Sequence, residues 1–402
     1  MSLKKIKESA FDYLFVLLIF ILPFSLAIPN LVLGVLIFYF LISLRTLKST
    51  AALKHNSLLL LCVFFAYLFL KAIVNNTLIT DSGLYSRYLL VIVILVLFLK
   101  VRDPERIKVA MIIATVALMV KSVYMIIQFY LVYHTFPLGD GNLANTVLVI
   151  ERPYAGFMAL ISVLLSLEQF QKQQKSKWLF GFSAALGVFF ILFISARNSS
   201  LTLFFLFALY LLFYFKKSLT SKLIFITVLM AVIAMTIGLN KNLSQRLHVN
   251  DSFEKTWANL SANEPRAAIW PCAFALTRQP DFNFFFGFSS EDEIREKLSD
   301  CYGTSITGNE SKRQWFLEER FNTHNQFLDA MLLGGFVGLL LLLCFFGYTI
   351  AQLKSNFFAV SLLVSVVFFF AFENCLHRQL GCYVFAIILA MYHRTDAQKS
   401  EN

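Results

Sequence analysis

Long apolar runs separated by short polar connections are the feature of this sequence that most limits its fold. Of the 402 residues, 58% are hydrophobic and 15% are charged, against about 25% charged in an average soluble domain. A water-soluble globule cannot hide this much apolar surface, which excludes a soluble enzyme or binding module. The runs also exceed the alternating segments of about 10 residues that build an outer-membrane barrel. The sequence therefore predicts an all-α polytopic membrane protein.

A helix needs about 20 apolar residues to cross the hydrocarbon core of a bilayer. Twelve candidate spans lie at residues 11–28, 30–44, 57–74, 86–99, 109–133, 153–169, 179–195, 199–215, 223–239, 325–350, 357–374 and 379–393. The first is not expected to be a cleaved signal peptide, because a second apolar run follows at once and no small-residue cleavage site separates them. The predicted parts are helices one to nine in residues 1–239, a large polar loop at 240–323, and helices ten to twelve with a short tail in 324–402.

Basic residues are distributed unequally between the two sides of this plan. If the N-terminus is cytoplasmic, the basic clusters near residues 4–7, 45–54, 100–108, 172–177, 216–222, 354 and 394–399 all lie on that side. The short outer connections then hold only Arg87, Arg152, Arg197 and Arg378. The positive-inside rule therefore predicts that both termini are cytoplasmic. Topology accounts for much of the net charge of +11, so the charge does not call for a nucleic-acid partner.

The four outer arginines, and His324 at another outer helix start, oppose an electrostatic preference. A helix N-terminus carries about half a positive charge, so a cation placed there is unfavourable. An anion at this face would reverse the penalty, because helix N–H groups and arginine side chains both bind phosphate. The alternative is that each arginine reaches lipid headgroup phosphates. Taken together beneath a large polar loop, they predict a site for a phosphate-bearing substrate.

Two helix starts carry the most specific candidates. Arg197 precedes Asn198 and Ser199, either of which is expected to cap helix eight. His324 and Asn325 stand where helix ten begins, and a neutral imidazole at such a position can act as general base for a hydroxyl. The alternative for His324 is a capping or merely solvated side chain.

The polar loop at 240–323 holds a predicted short helix that opens at Pro265, a residue suited to a first turn. Arg266 and Trp270 are four residues apart, so they share a face and could bracket a sugar or phosphate. Trp270 could equally anchor the loop at the membrane interface. Cys272 and Cys301 would form a disulfide in a bacterial periplasm, or remain two buried thiols.

Other chemistry finds little support in the sequence. There is no Walker motif, HExxH or paired CxxC, so no nucleotide, metal or other cofactor is predicted. The acidic runs at 291–293 and 318–319 are expected to be solvated faces. Lys71 and Lys121 lie within predicted helices, where charges are functional candidates, and Lys121 could pair with Asp329.

Three motifs resemble the O-antigen ligase and Wzy-type polymerase superfamily. His324-Asn325 followed after nine residues by Gly335-Phe336-Val337-Gly338 and a leucine run resembles its signature. Arg197 with Leu201 resembles its Arg-x-x-x-Leu motif. The loop set resembles its Arg…Trp…Pro…Gly stretch, with Arg266, Trp270, Pro280 and Phe286-Gly287-Phe288. The motifs follow the family's order on the predicted outer face, over about residues 195–340.

This resemblance implies a GT-C-type membrane glycosyltransferase in a bacterial inner membrane, acting at its periplasmic face. Such ligases transfer a polysaccharide from undecaprenyl diphosphate to a sugar of lipid A–core in lipopolysaccharide biosynthesis, without metal or nucleotide sugar. The resemblance implies that Arg197 and Arg266 would hold the diphosphate and that His324 would activate the acceptor, with Asn325 and Trp270 in support. Gly335 and Gly338 allow close helix packing. Charge placement adds Arg152, Arg378 and Arg87 to the diphosphate candidates, and Glu151 and Glu373 as possible sugar contacts.

Two alternatives remain at this stage. A Wzy-type polymerase would use a second lipid-linked glycan as acceptor, and the sequence separates it poorly from a ligase. A polysaccharide flippase or other transporter would have the same span count, but it should place its polar groups near the bilayer midplane. Most of the candidate residues here gather at one face instead.

Overall fold

The computed structural model describes residues 3–43, 56–139, 141–172, 176–214, 264–307 and 309–400, with the isolated positions 220 and 227. Regular structure in these segments is helical throughout. The helices are α1 (Leu3–Ile21), α2 (Ile28–Ile42), α3 (Asn56–Val74), α4 (Ser82–Phe98), α5 (Pro104–Tyr133), α6 (Gly141–Val147), α7 (Arg152–Lys172), α8 (Lys177–Phe193), α9 (Arg197–Leu209), α10 (Arg266–Leu276), α11 (Glu291–Ser305), α12 (Glu310–Glu319), α13 (Gln326–Leu353), α14 (Phe357–Phe372) and α15 (Gln379–Ser400).

The membrane class predicted from the sequence is confirmed. Five segments are long and apolar enough to cross a bilayer, namely α3, α5, α7, α13, and α9 together with the π-helical turn Tyr210–Tyr214. Shorter apolar helices coincide with six further predicted spans. Apart from the isolated position 227, the ninth predicted span, residues 223–239, lies outside the described residues, as do the loop residues 240–263. The count of twelve spans and the GT-C architecture therefore stay predictions.

Helix α7 is the most enclosed of the long apolar helices, with 83% of its most apolar 18-residue stretch buried inside the protein. Phe157 on α7 stacks face to face on Phe369 of α14, with ring centroids 4.1 Å apart. Gly156 permits the close approach of α9, because a Cβ there would lie 2.4 Å from the Cβ of Ala196 and 2.8 Å from Oγ of Ser199. The packing of α7 against α9 thus fixes the position of the N-terminal end of α9, where Arg197 lies.

Helix α13, predicted as one span, is broken in the described structure. Gly335 has φ +61° and ψ −162°, which divides α13 into a first arm (residues 326–334) and a second arm (residues 336–353). In a straight helix, residues 327 and 346 would be about 28 Å apart, yet the rings of Phe327 and Phe346 are 6.0 Å apart. A Cβ at Gly338 would lie 3.0 Å from the Ala330 carbonyl oxygen. The first arm is therefore folded back against the second.

A segment of the outer loop fills the break. The N–H groups of Phe336 and Val337 donate to the carbonyls of Phe284 and Phe285, at 2.8 and 3.3 Å. The N–H of Phe288 in turn donates to Leu332 O at 2.8 Å. A break in a helix leaves backbone groups without intrahelical partners, and these contacts satisfy them.

Lys71 of α3 also serves this junction. Its Nζ donates to Phe288 O and, at 2.5 Å, to Leu333 O. The OH of Tyr67, one turn earlier on α3, donates to Gly334 O at 2.7 Å. The side chain of Lys71, a charged residue within α3, therefore joins α3 to the loop and to the first arm of α13.

The described part of the outer loop is held together by a disulfide and a small aromatic core. Cys272 on α10 and Cys301 on α11 form the disulfide, with Cα atoms 5.8 Å apart. Tyr302 of α11 packs edge-on against Phe316 of α12, and both are fully buried. The disulfide left open by the sequence is therefore present, and it ties α11 to the helix that begins with Arg266.

Candidate functional site

Five charged or titratable side chains form a continuous chain of contacts where α9, α10, α13 and α14 meet. Glu264 bridges two arginines, with Oε2 3.1 Å from Nη1 of Arg197 and Oε1 2.7 Å from Nη1 of Arg266. Arg266 continues the chain through Nη2, which lies 2.5 Å from Oε1 of Glu373. The other oxygen of Glu373 lies 3.1 Å from Nδ1 of His324. Arg197, Arg266 and His324, far apart in sequence, are thus brought together.

The start of α9 differs from the sequence prediction. Helix α9 begins at Arg197 itself, and its N-cap residue Ala196 makes no side-chain capping bond. Asn198 does not cap the helix but donates to Phe368 O of α14 at 3.4 Å. Ser199 is buried against Gly156 of α7. The predicted cap is therefore wrong, because tertiary contacts with α7 and α14 use both polar side chains.

Arg266 occupies the C-terminal end of α14. Its Nε and Nη2 donate to Phe372 O at 3.0 and 2.8 Å. The last carbonyls of a helix lack intrahelical partners, and the negative end of the dipole favours a cation. Trp270 packs its ring 5.9 Å from that of Phe372, so it lies with Arg266 at the end of α14, and its suggested contact with a sugar or phosphate stays a prediction.

His324 is held by its own backbone and by its neighbours. Its φ is +43°, a strained value for a non-glycine residue, and its N–H donates to Oδ1 of Asn322 at 3.1 Å. The next residue, Asn325, caps α13 by accepting from the N–H groups of Phe327 and Leu328. When Nδ1 donates to Glu373, Nε2 is left as an acceptor, which is the arrangement a general base requires.

Glu373 lies just beyond the end of α14, outside the membrane-spanning helix. Burial raises the pKa of Glu373, but the hydrogen bond from His324 and the positive charges of His324, Arg266 and Arg378 outweigh burial and hold the pKa below its ordinary value. An ionised carboxylate at this position can orient the imidazole and stabilise its protonated form. The sequence suggested Glu373 only as a weak sugar contact.

A second polar cluster lies behind the first and was missed at the sequence level. His377, in the short 3₁₀ turn Cys375–His377, is buried between two carboxylates. Its Nε2 lies 2.8 Å from Oδ2 of Asp329, and its Nδ1 lies 3.1 Å from Oε1 of Glu291. The prediction that the acidic run at 291–293 is solvated is therefore wrong for Glu291. No local pattern marks His377, because its partners come from α11 and α13.

Charge pairing controls protonation in this second cluster. Burial lowers the pKa of His377, but Asp329 and Glu291 outweigh burial and raise it to about 9. Burial raises the pKa of Glu291, yet the imidazole of His377 3.1 Å away and the charge of Arg295 lower it to about 2. At neutral pH the cluster thus contains an imidazolium between carboxylates.

Asn374 connects the two clusters. Its Nδ2 donates to Oδ1 of Asp329 at 3.1 Å, and its Oδ1 accepts from the N–H of Asn325 at 2.6 Å and from the hydroxyl of Thr323 at 3.0 Å. The segment that carries His324 is therefore fixed on one side by Glu373 and on the other by Asn374.

The other candidate cations have different surroundings. Arg378 forms an exposed ion pair with Glu151, with Nη1 3.1 Å from Oε1. The positive charge of Arg378 also lowers the pKa of Glu373. Arg152 donates from Nη2 to Leu138 O at 3.1 Å, so it supports a turn. Arg87 is half-buried on α4, and no contact between described residues joins it to the Arg197–Arg266 pair. The suggested pair between Lys121 and Asp329 is wrong, since Lys121 lies exposed 5.5 Å from the ring centroid of Phe24.

The described part of the chain contains no group of three or more His, Cys, Asp or Glu side chains arranged to hold a metal ion. The chemistry that this site can perform with its own residues is anion binding by two arginines, with a carboxylate-oriented imidazole close by.

The apolar helices indicate a multi-pass membrane protein with a charged site where α9, α10, α13 and α14 meet. Residues 182–343 match the family described as O-antigen ligase, and this match supports membership of the O-antigen ligase and Wzy-type polymerase superfamily. A comparison with curated proteins gives no match. The matched region contains the arginines at 197 and 266, His324, Gly335 at the helix break, and Gly338.

Proposed function

We propose that the protein is an O-antigen ligase, which transfers a polysaccharide from undecaprenyl diphosphate to a sugar hydroxyl of lipid A–core. The observation that carries this proposal is the convergence of Arg197, Arg266 and His324 from three separate segments onto one chain of contacts. The match to the O-antigen ligase family supports it.

In this proposal Arg197 and Arg266 hold the donor diphosphate. Both guanidinium groups converge on the two oxygens of one carboxylate, Glu264, which is the arrangement that suits a phosphate group. Glu264 therefore occupies the anion position, and the donor displaces it on binding. The leaving group is undecaprenyl diphosphate, and arginine contacts that strengthen as its oxygen departs lower the barrier.

His324 is the proposed general base, and Glu373 is its positioning residue. Nε2 of His324 takes the proton of the acceptor hydroxyl as the new glycosidic bond forms and the bond to the diphosphate breaks. Glu373 holds the Nδ1 proton and stabilises the imidazolium that results. If attack and departure occur on opposite faces of the donor sugar, the anomeric configuration inverts. A product that keeps the configuration of the donor would exclude this geometry.

The same proposal places the site at the periplasmic face of a bacterial inner membrane, without a metal cofactor and with both termini cytoplasmic. Two observations support this placement. The disulfide between Cys272 and Cys301 lies in the loop beside the site, and disulfides persist in oxidising compartments such as the periplasm. The distribution of basic residues follows the positive-inside rule.

The test measures transfer of labelled glycan from undecaprenyl diphosphate to lipid A–core by purified protein in detergent. Arg197→Ala, Arg266→Ala and His324→Ala should each abolish transfer, and Arg197→Lys should retain little, because a point charge does not reproduce the arginine geometry. The control is Arg313→Ala, which replaces a half-buried arginine of the outer loop whose only ion pair in the described structure is with Glu310 of the same helix, α12. Full activity in His324→Ala would contradict the base assignment.

A deletion strain separates a ligase from a polymerase. Loss of ligation leaves long polymer on the lipid carrier and bare core, whereas loss of polymerisation leaves core bearing single repeat units. Purified protein that moves glycan across vesicles but never joins it to an acceptor would instead be a transporter.

A further inference from the structure

Three consecutive phenylalanines of the outer loop project away from the described structure. Phe284, Phe285 and Phe286 are exposed by 54%, 57% and 53%. Clustered exposed aromatic rings are unusual on a surface that faces water, so they indicate an interaction surface. Their position and backbone contacts identify the partner.

The three rings lie at the end of a membrane-spanning helix. The carbonyls of Phe284 and Phe285 accept hydrogen bonds from Phe336 and Val337, the first residues of the second arm of α13. The ring of Phe284 stacks on that of Phe336, with centroids 5.6 Å apart. The second arm, residues 336–353, is about 27 Å long, close to the hydrocarbon thickness of about 30 Å. The rings therefore lie near one boundary of the hydrocarbon core.

An exposed apolar face continues from these rings along the second arm. Phe336, Leu340 and Leu343 are exposed by 40%, 45% and 49%. The spacing of four and three residues puts them on one side of the helix. A helix side of this kind on a membrane span faces lipid, and the phenylalanine segment extends the same face.

The backbone of the segment is also suited to a medium without water. Besides the two carbonyls bonded to α13, the N–H groups of Phe285 and Phe286 both donate to Oδ1 of Asn283, at 3.0 and 3.1 Å. Non-helical backbone is tolerated at membrane depth only where its polar groups have protein partners. Rings that project while four backbone groups of the segment have protein partners are the pattern expected for insertion into lipid.

We propose that Phe284, Phe285 and Phe286 insert into the acyl chains of one membrane leaflet, so that phospholipid is the partner of this surface. The segment joins α10 to α11 and is bonded to the break in α13. Insertion therefore anchors, at the membrane boundary, the part of the loop that follows the helix beginning with Arg266. This anchoring is independent of the identity of the transferred glycan.

The test replaces Phe284, Phe285 or Phe286 singly by the photo-cross-linking residue p-benzoylphenylalanine. Purified protein is reconstituted into vesicles of phosphatidylethanolamine and phosphatidylglycerol, irradiated and examined by mass spectrometry for phospholipid adducts. The same residue at Phe38, 66% exposed on the apolar helix α2, is the lipid-facing control. The same residue at Glu318, exposed on the polar helix α12, is the water-facing control.

Adduct yields at the three positions should match the Phe38 control and exceed the Glu318 control. Yields equal to the Glu318 control, or cross-links to a second copy or to another segment of this chain, would overturn the proposal.

Wild-type protein gives an independent measurement, free of any effect of substitution on folding. In vesicles containing a lipid with an acyl-chain diazirine, label should appear in the tryptic peptide between Arg278 and Arg295. Absence of label there, with label present on α13, would also overturn it.

Discussion

Gly335→Ala should be the most damaging single-methyl substitution in α13. Gly335 has φ +61° and ψ −162°, a region of backbone space that is essentially restricted to glycine. An added Cβ would lie 2.3 Å from the carbonyl carbon of Phe285 and 2.4 Å from its oxygen. These are backbone atoms, so no flexible side chain can move aside, and the loop segment must separate from the break.

The cost follows from the contacts that separation removes. The hydrogen bonds of Phe336, Val337 and Phe288 across the break are lost. At about 1 kcal/mol for each bond and about 1–3 kcal/mol of backbone strain, the free energy of unfolding falls by about 4–6 kcal/mol. Native proteins are stable by only about 5–15 kcal/mol, so the variant should be close to unfolded.

The matched control lies on the same helix. A Cβ added at Gly347 would meet no atom within 4 Å, so Gly347→Ala should be neutral or stabilising by about 0.5–1 kcal/mol. Thermal unfolding of both variants in detergent, followed by intrinsic fluorescence, measures the difference. Gly335→Ala should lower Tm by on the order of 10 °C while Gly347→Ala does not. Equal Tm values in the two variants would refute the inference that the loop fills the break.

Four further predictions concern the charged clusters and the disulfide. Glu373→Gln should lower kcat by about 10²-fold, because it weakens the positioning of His324. Glu264→Gln should instead lower KM for the donor, because it removes the carboxylate that competes with the diphosphate. Steady-state kinetics with varied donor concentration distinguishes the two effects, and an unchanged KM in Glu264→Gln would contradict displacement of Glu264 by the donor. The pKa of His377 is raised from 6.5 to about 9, so its stabilisation is complete below about pH 6.5 and is lost as pH rises through about 9. The Tm deficit of His377→Gln should therefore be large near pH 6 and should shrink above pH 9, and a deficit independent of pH would show that the charge is not responsible. Cys301→Ser should lower stability by about 2–4 kcal/mol, and a reductant should lower the Tm of the wild type but not that of the variant.

The sequence was sufficient for the membrane class and for the positions of most helices. Eleven of the twelve predicted spans coincide with helices of the described residues, because an apolar run about as long as the bilayer is thick has few other solutions. The order of the arginine and histidine motifs was also visible locally, and the family match covers them. Their catalytic roles stay predictions.

Features that depend on partners distant in sequence could not be predicted in this way. The break at Gly335 needs the loop backbone of residues 284–288, and no pattern in the apolar run of α13 distinguishes a folded-back helix from a straight one. His377 becomes an imidazolium only because α11 and α13 each contribute a carboxylate. Asn198 turned from the expected cap to a contact with α14 for the same reason.

The boundary between what the sequence determined and what the tertiary structure decided follows from the range of the forces involved. Hydrophobic burial and the pairing of backbone groups act along a single segment, so the amino-acid sequence alone determined an all-helical protein embedded in a membrane. Electrostatic pairing requires opposite charges within a few ångströms. Only the packing of α9, α10, α13 and α14 decided that Arg197, Arg266 and His324 share two carboxylates.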